Sequence, residues 1–179
     1  TVTAVAPGAG TPSGTVTFTD DIAGALGTAA LSGGVASFST AGLSVGTHTI
    51  TASYGGDTNF NADSGTDTQV VNKADSLTSV STAPDPSVWG ESVTITATVT
   101  AVAPGAGTPS GTVTFKDGVA TLGTSGLSGG VASFNTAGLS VGTHAITAEY
   151  GGDNDFNMSA SASITQTVDM AQTTTVVST

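Results

Sequence analysis

The chain has 179 residues, with 25 glycines, no cysteine and only 8% charged residues. Thirteen acidic residues face two cations, Lys73 and Lys116, for a net charge of −11; nucleic acid and anionic membranes need clustered cations in a partner, so both are excluded. A hydrophobic share of 37% is enough to fold, no apolar run approaches the ~18 residues of a membrane helix, and the lack of cysteine removes disulfides, zinc–thiolate sites and thiol chemistry.

Read from the N-terminus, no basic-then-apolar signal opens the chain. Thr1 to Thr17 reads TVTAVAPGAGTPSGTVT, a strand end, a Gly/Pro loop over Pro7 to Gly14 and a new strand. The same letters recur at Thr98 to Thr114, and Leu31 to Phe60 recurs nearly unchanged as Leu127 to Phe156. The offset is 97 residues, falling to 96 between an extra residue near Asp20–Asp21 and a compensating one after Phe156. A period near 100 is too long for a solenoid and is the size of one β-sandwich. Val93, Ile95, Ala97 and Val99 alternate with threonines in a strand expected to begin near Glu91, and His144, Ile146, Ala148 and Tyr150 alternate likewise. Gly33-Gly34 and Gly55-Gly56 mark turns, and no helical periodicity is present. The expectation is all-β: roughly seven strands per copy, folded as tandem antiparallel sandwiches with Greek-key connections.

The register of the repeat sets the domains. Residues 1–72 form a repeat lacking its first strand and half of its second, 76–169 form a complete repeat, and 173–179 match the first strand of a further one, since Ser76 to Thr82 aligns with Thr173 to Thr179. This reads as a window on a longer array, rather than a subunit that polymerises by strand exchange. A donated Thr173–Thr179 replaces only one of the missing strands and leaves half of the second absent. Asn72 to Asp75 leaves about four residues between repeats, too few for a flexible coil, so consecutive repeats are expected nearly end to end, each adding roughly 35–45 Å at ~3.3 Å per strand residue.

The run from Gly111 to Phe156 (GTVTFKDG, LGT, LSGGVASF, LSVGTH and YGGD in order), with its lead-in SVWGESVTITATV at Ser87 to Val99, resembles the group-3 bacterial Ig-like domains. The resemblance covers nearly the whole chain, twice. It implies a non-catalytic structural role as a spacer or stalk of a bacterial surface adhesin or extracellular fibre. The implied partners are neighbouring repeats of the same array and like chains in a fibre. A multivalent adhesive module for glycan or protein is the alternative.

Sites of chemistry are few. Eight of nine aromatic residues fall at matching repeat positions, such as Phe18 with Phe115 and Tyr54 with Tyr150, and all nine, Trp89 included, are expected as core or corner elements. His48 and His144 share a strand face with Ile and Tyr and should point inward or to the sandwich end. No serine sits in a nucleophile-elbow context, so no enzyme is expected. Gln69 and Gln166 repeat on the apolar face; a buried glutamine bonded to backbone is preferred there over a Thr–Gln ester crosslink. The loops Gly55 to Phe60 and Gly151 to Phe156 place Asp57, Asn59, Asp153 and Asp155 two residues apart, the hard-oxygen spacing calcium prefers. Six to eight oxygens are not available there, so a turn in which Asp57 and Asp153 accept backbone amides is preferred to a weak calcium site. No other cofactor is expected.

Overall fold

A computed structural model describes residues 1–178. It divides into two compact units, Thr1–Asn72 and the chain from Lys73 onward. The first contains β1 (Thr15–Asp20), β2 (Gly24–Ala30), β3 (Gly46–Tyr54) and β4 (Asp63–Val71) in one antiparallel sheet of order β2-β1-β3-β4.

The second unit is the fuller sandwich. Its strands are β5 (Ser76–Ala83), β6 (Ser87–Val88), β7 (Val93–Ala101), β8 (Thr112–Asp117), β9 (Ala120–Gly126), β10 (Val131–Thr136), β11 (Gly142–Tyr150), β12 (Ser159–Ala160) and β13 (Ile164–Asp169). One sheet has the order β10-β7-β5, and the other β6-β13-β11-β8-β9 with β12 beside β11. The chain passes repeatedly between the sheets, as in an immunoglobulin-like sandwich. All pairs are antiparallel except β6 with β13.

The alternation read from the sequence is the alternation of burial. Val93, Ile95, Ala97 and Val99 of β7 are buried, as are Val113 and Phe115 of β8 and Ile146, Ala148 and Tyr150 of β11. Strand β7 starts at Val93 rather than near Glu91 because Glu91 belongs to a turn: its amide donates to the Val88 carbonyl, and its carboxylate accepts the Val88 amide. Phe115 stacks on Phe134 with ring centroids 6.0 Å apart, and Phe18 on Phe38 at 5.8 Å. A Cβ at Gly123 or Gly27 would collide with the Phe134 or Phe38 ring, so those strand positions stay glycine. Trp89, expected in the core or a corner, is instead 61% exposed.

The residues between the last strand of the first unit and β5 are not free chain. Ala74 forms a parallel bridge with Phe156, donating its amide to the Asp155 carbonyl and accepting the Asn157 amide. Asn157 also donates its side-chain amide to Asp75, and Lys73 donates to the Asp153 carbonyl. Lys73 to Asp75 therefore fold as part of the second unit.

One sequence adopts two conformations. Val131 to Thr136 (VASFNT) is strand β10, paired residue for residue with β7 from Thr98 to Val93. Val35 to Thr40 (VASFST) differs by one letter and lies outside any strand apart from a bridge of Val35 to Ser32. The partner of β10 is β7, whereas Ala36 to Thr40 have no strand partner among the described residues. Backbone groups without a partner remain with solvent. Hydrogen exchange followed by mass spectrometry should show the amides of Ala36 to Thr40 exchanging at least tenfold faster than those of Ala132 to Thr136; equal rates would mean that β7 pairing does not decide this strand.

Candidate functional site

The loop between β11 and β12 is built around one carboxylate. Gly152, at φ +80°, turns the chain where a Cβ would meet the Phe156 carbonyl oxygen at 2.9 Å. The Asp153 amide then donates to that carbonyl at 3.1 Å. Asp153 Oδ1 accepts the amides of Asp155 (2.9 Å) and Phe156 (2.8 Å), and Oδ2 accepts the Ser110 amide (2.8 Å) and hydroxyl (2.6 Å). Burial works to raise the Asp153 pKa, but these four donors outweigh it and hold the carboxyl well below the usual range. The first unit repeats the arrangement: Asp57 accepts the amides of Asn59, Phe60 and Ser13 and the Ser13 hydroxyl. Led by the Asn59 amide, those bonds likewise depress its pKa.

Each aspartate thus ties its own loop to the Gly/Pro loop about 43 residues earlier. Of the four residues named as calcium candidates, Asp57 and Asp153 have both oxygens engaged by donors. Asn59 and Asp155 contribute backbone amides to the same knots. Beneath them lie the buried Tyr54 and Tyr150 rings, whose hydroxyls have no hydrogen-bond partner of good geometry. Burial and the neighbouring Asp153 carboxylate push the Tyr150 hydroxyl up to about 12.

The histidines close the opposite end of the hairpins. His144 Nδ1 lies 2.6 Å from Asp117 Oδ2, and Nε2 lies 2.8 Å from the Ser140 carbonyl. His48, fully buried, makes the same contacts with Asp20 (2.9 Å) and Ser44 (2.8 Å). Both ring nitrogens face acceptors only, so both must carry a proton. The Ser140 carbonyl, then Asp117, raises the His144 pKa against the opposing effect of burial.

The inserted Asp21 splits a task that Asp117 performs alone. Asp117 accepts from both His144 and the Ala145 amide, whereas Asp20 takes His48 and Asp21 takes the Thr49 amide. Asp20, Asp21 and His48 therefore bring three ligand-type atoms within 4.8 Å of one another. Sequence reasoning missed this cluster, although the period shift at Asp20–Asp21 was its signal. Its atoms are already bonded to one another and to backbone.

Gln166 is buried, and its amide donates to the Pro84 and Thr167 carbonyls at 3.0 and 2.9 Å, with Ser87 Oγ at 3.3 Å. Gln69, its repeat partner, is exposed and donates to the Val70 carbonyl. Lys116 pairs with Glu149 at 2.6 Å across neighbouring strands.

Two repeated β units whose polar side chains bond to their own loops, the second a two-sheet sandwich, define a class of immunoglobulin-like repeat modules. Residues 1–72 and 80–169 match the bacterial Ig-like domain (group 3). The chain belongs to that family. Such domains are typically non-catalytic and are commonly found in extracellular or surface proteins, as structural or adhesion-type modules. Among solved structures, the fibronectin(III)-like modules of Clostridium thermocellum CbhA match at 18% identity and a TM-score of 0.45, over 96% of this chain and 86% of theirs. No curated protein matches.

The two polar knots set opposite limbs of a pH profile. The His144 contribution is fully present below the unfolded value near 6.5 and is lost as pH rises through the higher folded value. The Asp153 contribution is present above about 4 and is lost as pH falls toward its depressed folded value. The melting temperature of the second unit should therefore peak between roughly pH 4.5 and 6.5. His144→Gln should flatten the upper limb only. Asp153→Ala should lower stability by about 1–3 kcal/mol at pH 6, since the Ser110, Asp155 and Phe156 donors lose their acceptor. A profile unchanged by His144→Gln would remove the imidazolium from this account.

Proposed function

We propose that this chain is a spacer segment of a long bacterial surface protein or extracellular fibre, without catalytic activity. One observation carries the reading. The Gly/Pro loops that would form a binding end repeat letter for letter, Pro7 to Gly14 with Pro104 to Gly111, and the Asp57 and Asp153 carboxylates beside them are taken up by hydrogen bonds within each unit. A recognition loop keeps polar groups free for its ligand; these hold their own backbone. With Lys73 to Asp75 bound into the second unit, little chain is left to act as a flexible tether. The test is small-angle scattering extrapolated to zero concentration. A spacer gives a radius of gyration well above the about 16 Å of a compact globule of this length, and a value near 16 Å would sink the reading.

Multivalent adhesion is the second reading, because identical exposed loops permit avidity. It requires glycan or protein binding that climbs steeply with repeat number. Calcium gives a separate check. Coordination at Asp57 or Asp153 must displace four hydrogen bonds at each carboxylate, so millimolar calcium should shift the melting temperature no further than sodium at matched ionic strength. A clearly larger shift with calcium would make these loops metal sites.

A further inference from the structure

The turn after β1 holds more ligand atoms than its fold uses. In the second unit, Asp117 has two oxygens and two donors to meet: His144 Nδ1 on Oδ2 and the Ala145 amide on Oδ1. In the first unit two carboxylates share the work, and their donors are the His48 Nδ1 proton and the Ala23 and Thr49 amides. Four oxygens thus face three donors. Asp21 spends Oδ1 on the Thr49 amide at 2.8 Å, and its Oδ2 accepts no hydrogen bond among the described residues. The two oxygens of Asp20 divide the one proton on His48 Nδ1, at 3.1 and 2.9 Å.

Composition and spacing both suit a metal ion. One nitrogen of His48 and one oxygen each of Asp20 and Asp21 lie within 4.8 Å of one another. Zinc bonds of about 2.0–2.2 Å to nitrogen and carboxylate place tetrahedral ligands roughly 3.3–3.6 Å apart. The Nδ1–Oδ2 pair therefore opens by a few tenths of an ångström, and the exposed Asp21 arm swings in. The ring is already oriented: His48 Nε2 donates to the Ser44 carbonyl at 2.8 Å, the outer bond that fixes a metal-bound imidazole and leaves Nδ1 as the ligand atom. Asp20 and His48 side chains are fully buried, whereas Asp21 is exposed, which leaves one side open for ion entry and a water ligand. Two carboxylates beside one imidazolium leave a surplus negative charge. A divalent ion with a neutral imidazole cancels it.

We propose that Asp20, Asp21 and His48 form a binding site for a divalent transition-metal ion such as zinc, in which the ion takes the place of the proton on His48 Nδ1. That proton leaves to solvent, Nδ1 and one oxygen of each carboxylate bond the ion, and the Nε2 proton stays on the Ser44 carbonyl. The ion ties the turn between β1 and β2 to β3. Only the first unit has the site, because Asp117 and His144 lack the second carboxylate. It uses none of the loop groups on which the spacer reading rests, so either can fail without the other.

Zinc titrated into the whole chain, followed by calorimetry and by NMR of the histidine ring nitrogens, tests it. One ion per chain should bind below millimolar zinc, moving the His48 ring signals and leaving those of His144 in place. Calcium at the same concentration should do neither, since a hard cation takes oxygen ligands and not imidazole. Asp21→Asn keeps an Oδ1 acceptor for the Thr49 amide, so its zinc-free melting temperature should match that of the unsubstituted chain. Its zinc affinity should fall at least about tenfold. A chain that takes up no zinc below millimolar concentration overturns the inference. So does binding that Asp21→Asn leaves undiminished, or that moves the His144 signals as far as those of His48, since either would mean an adventitious ion only.

Discussion

The pairing of β7 with both β5 and β10 is the constraint on which the sandwich depends. A strand in the middle of a three-stranded sheet satisfies two rows of backbone groups at once. Its inward row, Val93, Ile95, Ala97 and Val99, closes the core from above. Where β7 is whole, Val131 to Thr136 is a strand and Phe115, Ile146 and Tyr150 are buried. In the first unit, Ala36 to Thr40 pair with no strand among the described residues, and the same core positions line a cavity. Local propensity is the same in both, so the difference comes from tertiary partners.

A chain with two lysines has few cations for its carboxylates, and it meets several of them with backbone amides. Asp57, Asp153, Asp21 and Asp85 each accept at least one main-chain N–H. An amide held by the fold is a donor already placed, and it pays no side-chain entropy of the kind a lysine would. The same bonds staple loops far apart in sequence, Ser13 to Asp57 and Ser110 to Asp153. Acidic composition and loop rigidity are therefore one property here.

The repeat and the period-two alternation made the fold readable, because both follow from covalent order and strand geometry. The inward direction of His144 and Ile146 followed from the same alternation. The acceptors of the two histidines did not, since Ser44 and Ser140 are loop carbonyls whose position depends on chain path. Trp89 misled in the other direction: grouped with the repeated aromatics it read as a core or corner ring, yet it follows the two-residue β6 and stands in solvent. Asn72 to Asp75 read as linker because they fall between the expected end of one strand and the start of the next. The bonds that fold Lys73 to Asp75 into the second unit run to the Asp153–Asn157 loop, about 80 residues away, beyond any local pattern.

The insertion at Asp21 shows how far these repeats tolerate change while keeping one physical arrangement. Adding a residue to the turn after β1 would ordinarily displace the carboxylate that serves both the histidine and the next strand's amide. The extra residue is itself an aspartate, so Asp20 keeps the imidazolium and adds the Ala23 amide at 2.7 Å, while Asp21 takes the Thr49 amide at 2.8 Å. With a second carboxylate available, the first is drawn inward: Asp20 is 4% exposed and His48 is fully buried, whereas the His144 and Asp117 side chains are 10% and 27% exposed. A buried ion pair survives only when its remaining lone pairs and protons are satisfied, and the inserted aspartate frees Asp20 to meet that condition. The turn thus varies in length, while a doubly protonated ring stays held between a carboxylate and a loop carbonyl in both copies.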